Sequence, residues 1–141
     1  MKSVLFGIYF ILALSSNVWS QNENSVQVEV LAKTSLSWNG DELPEYERGQ
    51  PEVTIIKVII PPKIQLPLHE HPVINAGVLL KGNLMVVTED KDTLHVKAGD
   101  SIVEVVNKWH YGTNEGNEPA EIIVFYAGVQ DKPITIQESD K

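Results

Sequence analysis

The chain has 141 residues, a formal net charge of −8, four histidines and no cysteine. Its acidic residues are spread along the sequence and no basic stripe is present to neutralise phosphates, which argues against a nucleic-acid partner. The lack of cysteine excludes a disulfide framework and a lipidated-cysteine anchor, so stability must come from a core, with a contribution from any bound metal.

In chain order, the first element is a targeting segment. Lys2 is the only charge before an apolar run, Val4 to Leu14, that is too short to cross a bilayer. Val18-Trp19-Ser20 follows with small-residue positions suited to a signal peptidase. Residues 1–20 are therefore expected to be a secretory signal cleaved after Ser20, with no stable membrane insertion afterwards. Residues 21–141 would form a single periplasmic or secreted domain with a charge of about −9.

Within that domain, Val26, Val28 and Val30 alternate with Gln27 and Glu29, the period of a half-buried strand. Trp38-Asn39-Gly40-Asp41 reads as a turn, and the polar stretch from Leu43 to Pro51 as a loop. Val53 to Ile60 is a strongly β-branched strand stopped by Pro61-Pro62. Short strands then follow at close intervals: Ile64 to Leu68, Gly77 to Leu80, Leu84 to Thr88, Thr93 to Lys97, Ser101 to Val106, Trp109 to Thr113 and Glu121 to Ala127. Turns at Lys81-Gly82-Asn83, Glu89 to Asp92 and Ala98-Gly99-Asp100 join several of them. Ile134 and Ile136 could add an edge strand in a mostly polar tail. No ten-residue amphipathic helix is visible. The expected class is all-β, a sandwich or barrel.

His69 and His71 lie two apart in a strand-like segment, so both imidazoles can face one space, and His110 lies in a segment that reads as facing β-structure. Three imidazoles offer nitrogen ligands to a transition metal. Closing a loop of about 40 residues between His71 and His110 would bring the third to the first two.

These residues resemble the two motifs of the cupin family. The first motif runs Gly, five residues, His-x-His, three or four residues, Glu, six residues, Gly. It is met by His69, His71 and Gly82, with Asn75 at the glutamate position and Lys63 at the first glycine. The second runs Gly, five residues, Pro-x-Gly, two residues, His, three residues, Asn. Gly99, His110 and Asn114 meet it, while Val105 and Asn107 stand at the Pro and Gly positions. The resemblance covers about residues 50–128. It implies a double-stranded β-helix, a jelly-roll-type barrel, with His69, His71 and His110 as ligands of a divalent transition metal held inside.

Asn75 replaces a carboxylate by an amide, either a weaker ligand or a group that orients a histidine. Glu104, in SIVEVV, shares one face with Ile102 and Val106. If that face is the inner one, as at the matching apolar position of cupins, Glu104 would bring a carboxylate back as ligand or as general acid or base. The expected function is an exported metal-binding cupin acting on a small organic molecule. The favoured form is a three-histidine dioxygenase with iron, with Mn, Ni, Zn or Cu left open. A non-catalytic receptacle for a small molecule or sugar, and a metal-dependent isomerase, lyase or hydrolase, are the alternatives. Tyr46, Tyr111 and Tyr126 are weaker candidates as acids or clamps. Trp109 is weighed for the site mouth, Trp38 and the loop Glu42 to Arg48 for a cover, and His95 as an exposed strand residue. The resemblance also allows a homodimer, for which the Val26–Val30 strand could serve.

Overall fold

A computed structural model describes residues 25–140, and the expected signal at residues 1–20 lies outside them. Nine strands and one short 3₁₀ turn make up the described chain, and no α-helix is among them. The strands are β1 (Pro51–Ile60), β2 (His69–Glu70), β3 (Ile74–Lys81), β4 (Asn83–Thr88), β5 (Thr93–Lys97), β6 (Ser101–Val103), β7 (His110–Thr113), β8 (Ala120–Val129) and β9 (Ile136–Gln137). They form two antiparallel sheets, β1-β8-β3-β6 and β5-β4-β7-β2-β9.

Period-two alternation builds the core between the sheets. Ile56, Val58 and Ile60 of β1 and Ala120, Ile122, Val124 and Tyr126 of β8 point inward, where they meet Leu84 and Val86 of β4 and Val96 of β5. The β3–β4 hairpin turns at Gly82, whose φ of +80° favours glycine and whose Cβ, were there one, would lie 2.9 Å from the Ala120 Cα. Buried Asn114 ties the far end together. Its amide donates to the carbonyls of Ile60 and Glu118 at 2.9 and 2.8 Å, and its oxygen accepts from the Gly116 amide at 2.9 Å.

Three expectations are corrected. Val26 to Val30 form no strand, and the three valines are 91, 85 and 71% exposed, because among the described residues no strand lies beside them to bury one face. Ile64 to Leu68 is not a continuous strand. Gln65 makes an isolated bridge to Thr113, and regular pairing begins only at His69. The strand from Ser101 stops at Val103, and Glu104 and Val105 are both buried, so strict alternation ends there.

Candidate metal centre

The three histidines come together on neighbouring strands of one sheet. His69 of β2 pairs directly with His110 of β7, and His71 follows β2 by one residue. One ring nitrogen from each lies within 4.8 Å of the others, and the ring centroids are 4.5–5.1 Å apart. Each Nδ1 faces a backbone carbonyl: Pro67 at 2.7 Å for His69, Ile134 at 2.9 Å for His71, and Lys108 at 2.9 Å for His110. A carbonyl can only accept, so each Nδ1 carries the proton and each Nε2 keeps its lone pair. This is the arrangement by which outer hydrogen bonds prepare imidazoles as ligands. Burial also holds all three neutral. The His71 ring is pushed down to about 3 by burial and then by its charged-form repulsion with His110, and His69 and His110 are lowered chiefly by burial.

Glu104 faces inward beside this group, its Oε2 3.7 Å from the His110 Nε2. Burial pushes its carboxyl up to about 7, against the opposing pull of His69. Burial thus drives both partners toward their neutral forms, and the contact is not a stable ion pair. Glu104 Oε2 and Asn75 Oδ1 are both buried without a hydrogen-bond partner among the described residues. An orphaned carboxyl oxygen beside the ring lone pairs, that of Glu104, is costly in a closed apolar protein and suited to a bound cation or a donor ligand. The donor set, three imidazoles with a carboxylate at hand, fits a divalent transition metal.

A cavity of about 190 Å³ opens from these groups between the sheets. His69, His71, His110, Glu104 and Tyr126 line it; Asn75, buried on β3, does not. Tyr126 packs edge-on to His71 with centroids 5.3 Å apart. Its hydroxyl is pushed up to about 12 by burial and then by Glu104, with the bond to Thr135 acting the other way. Tyr46 is exposed, and neither Tyr111 nor Trp109 lines the cavity. His95 is an exposed residue of β5.

Of the expected cover, Trp38 packs against the core, and its turn binds the Glu104 segment. Trp38 N–H donates to the Val103 carbonyl and Ser37 Oγ to the Glu104 carbonyl, both at 2.9 Å. Arg48 is exposed and lines no part of the cavity, while Pro44 to Glu47 lie in a separate cleft beside Pro72 and Asn107. The sequence reading missed Ile134, Thr135 and Gln137. β9 pairs with β2, so the tail supplies the carbonyl that orients His71 and part of the cavity wall. The only signal for this was the alternation of Ile134 with Ile136.

The model of the cupin domain matches residues 56–126, half of the chain. The chain belongs to the cupin family. No curated protein matches this cupin. Among solved structures it is similar to an oxalate oxidase in complex with glycolate, at 23% identity and a TM-score of 0.53 over 61% of this chain and 46% of that one. A DMSP lyase, DddQ from Ruegeria pomeroyi, matches at 18% and 0.54, over 63% and 44%. A double-stranded β-helix protein from Klebsiella pneumoniae matches at 18% and 0.53, over 64% and 86%. This cupin spans less than half of the first two, and the likeness is one of fold. The motif departures keep the backbone the glycines would serve. Lys63 and Asn107, both at glycine positions, have φ of 64° and 53°, in the left-handed region.

Proposed function

We propose that this cupin is an exported metalloenzyme that holds one divalent transition metal on His69, His71 and His110 and acts on a small organic molecule. The observation that carries the reading is the convergence of three imidazoles, each with Nδ1 committed to a backbone carbonyl, at the polar end of an otherwise apolar cavity. When bound, such a metal supplies Lewis-acid chemistry and, if redox-active, chemistry with dioxygen. Glu104 is the acid or base, because it lines the cavity with an unpartnered oxygen within reach of a ligand at the histidines. We assign the fourth protein group to Glu104 rather than to Asn75, which does not line the cavity. The apolar walls exclude water, and Tyr126 and Thr135 brace the His71 side.

The finer reading is a dioxygenase with iron. Metal analysis of protein recovered from its native compartment, combined with oxygen uptake against a small-molecule panel, tests it. Iron with substrate-dependent uptake supports the dioxygenase. Zinc, nickel, manganese or copper with turnover but no uptake shifts the assignment to an isomerase, lyase or hydrolase. Full occupancy without turnover leaves a binding protein, and unchanged occupancy in His110→Ala overturns the site. Export is tested by the mass of the recovered chain, expected to begin at Gln21.

Pairing with a second copy is supported by a different surface from the Val26–Val30 segment. On the outer face of β1 and β8, Val53, Ile55, Ile59 and Phe125 are exposed around the Lys57–Glu121 ion pair at 2.6 Å. An apolar patch that continues across strands marks an interface, and a patch carrying both charges can face its own copy. Light scattering is expected to show a dimer, and Ile55→Glu with Phe125→Glu a monomer. A monomeric parent protein would sink this pairing.

A further inference from the structure

The cavity says what kind of molecule belongs in it. Away from the histidines its walls are aliphatic, with Ile56, Val58, Leu84, Val86, Ile122 and Val124 drawn from both sheets. Among the described residues, no lysine or arginine lines it. The polar groups gather at one end, where Glu104 presents a buried acceptor without a partner. Its volume of about 190 Å³ is a little above the roughly 150 Å³ at which an apolar protein cavity takes a benzene molecule. There is room for one ring, or a branched chain of like bulk, plus one or two further atoms.

Resting on the metal-site reading above, we propose that the ligand is a monocyclic or equally compact molecule with an apolar body and a hydroxyl-bearing head of one or two oxygens. The head lies at the three histidines, with a hydroxyl donating to Glu104, and the body fills the aliphatic end. Small dicarboxylates are selected against because their far oxygens would leave water for the aliphatic wall of Ile56, Val58, Leu84, Val86, Ile122 and Val124, whose side chains offer no donor. The discrimination therefore comes from this chain's aliphatic walls, not from the histidines.

Catechol and oxalate test this, since each can give two oxygens to one metal ion and only catechol has a ring. With the full mature protein loaded with Co(II), binding is read from the visible spectrum of the metal, and metal content is measured separately. Catechol is expected to bind at least about tenfold more tightly than oxalate, as burial of a ring predicts. Val86→Phe should abolish catechol binding while leaving metal content and oxalate binding unchanged. If that variant does not fold, Ile122→Ala serves, and it should shift preference from catechol toward the larger 2,3-dihydroxynaphthalene. Oxalate binding as tight as catechol, or insensitivity of catechol to both cavity variants, overturns the ligand class. Substoichiometric metal overturns the metal-site reading instead. The ligand class is then judged on metal-free protein by thermal shift, where cyclohexanol is expected to raise the midpoint and oxalate is not. Equal or absent shifts overturn it.

Discussion

Glu104, the residue after β6, lies opposite Asn75 of β3, its amide donating to the Asn75 carbonyl at 3.2 Å. The β3–β6 register, Ala76 to Val103, continues to this pair. In the proposed site, position 104 carries the inward carboxyl that the first cupin motif puts at position 75.

That exchange predicts an asymmetry between single and double variants. Asn75→Glu alone places two carboxyls in one buried neighbourhood and should lower the stability of the metal-free protein by about 2–4 kcal/mol. Asn75→Glu with Glu104→Gln should recover most of the loss and keep metal occupancy near one. Denaturation of chelator-treated protein and metal analysis check both, and equal stabilities for the single and double variants would count against the exchange.

The tail predicts a second effect. Ile134 supplies the carbonyl that accepts from the His71 Nδ1 at 2.9 Å, and Thr135 Oγ1 lies 3.2 Å from the same nitrogen. Removing residues 132–141 should weaken metal binding by about 10–100-fold, the usual loss when a ligand's outer partner goes. Competition with a chromogenic chelator measures it. Thr135→Ala should show the smaller part of the effect, because the Ile134 carbonyl stays in place.

Acid should destabilise the metal-free protein. A buried imidazole held neutral takes its proton more readily when the chain unfolds. Stability present above the ordinary value of 6.5 is therefore lost as pH falls toward the lowered folded values, about 3 for His71. Glu104 acts oppositely. Its carboxyl ionises more readily when unfolded, so its contribution, full below 4.5, is lost as pH rises through about 7. Three imidazoles outweigh one carboxyl, so urea midpoints should drop between pH 7 and pH 5. Glu104→Gln should raise stability at pH 8 by on the order of 2 kcal/mol, and a midpoint that climbs on acidification would contradict the neutral-histidine arrangement.

Two glycine substitutions should stabilise the fold. Lys63 and Asn107 hold φ of 64° and 53°, and lysine pays more than asparagine for that conformation. Lys63→Gly should gain up to about 1 kcal/mol and Asn107→Gly less, with metal affinity unchanged. Thermal denaturation distinguishes the two.

Much of the fold was legible because the strands carry period-two alternation and their turns carry Gly, Asn and Asp. β5 and the turns at Gly82 and Gly99 lie where the pattern puts them. Val26 to Val30 shows the limit of that logic, since alternation proposes a strand and only a neighbouring strand completes one. The histidine group was legible from His69-x-His71 and the in-register His110. Glu104 could be narrowed only to one of two faces. The contribution of Ile134, Thr135 and Gln137 was not legible, because it depends on a two-residue pairing between the tail and His69-Glu70.

By itself the sequence determined the all-β class, the cupin motifs and the three histidines, since each rests on local spacing that strand geometry translates directly. Only the tertiary structure decided that Glu104 points inward at the place Asn75 left without charge, that the tail orients His71, and that the cavity ends in aliphatic walls. Those facts depend on which strands lie side by side, and burial between two sheets is a property of that pairing and not of any one segment.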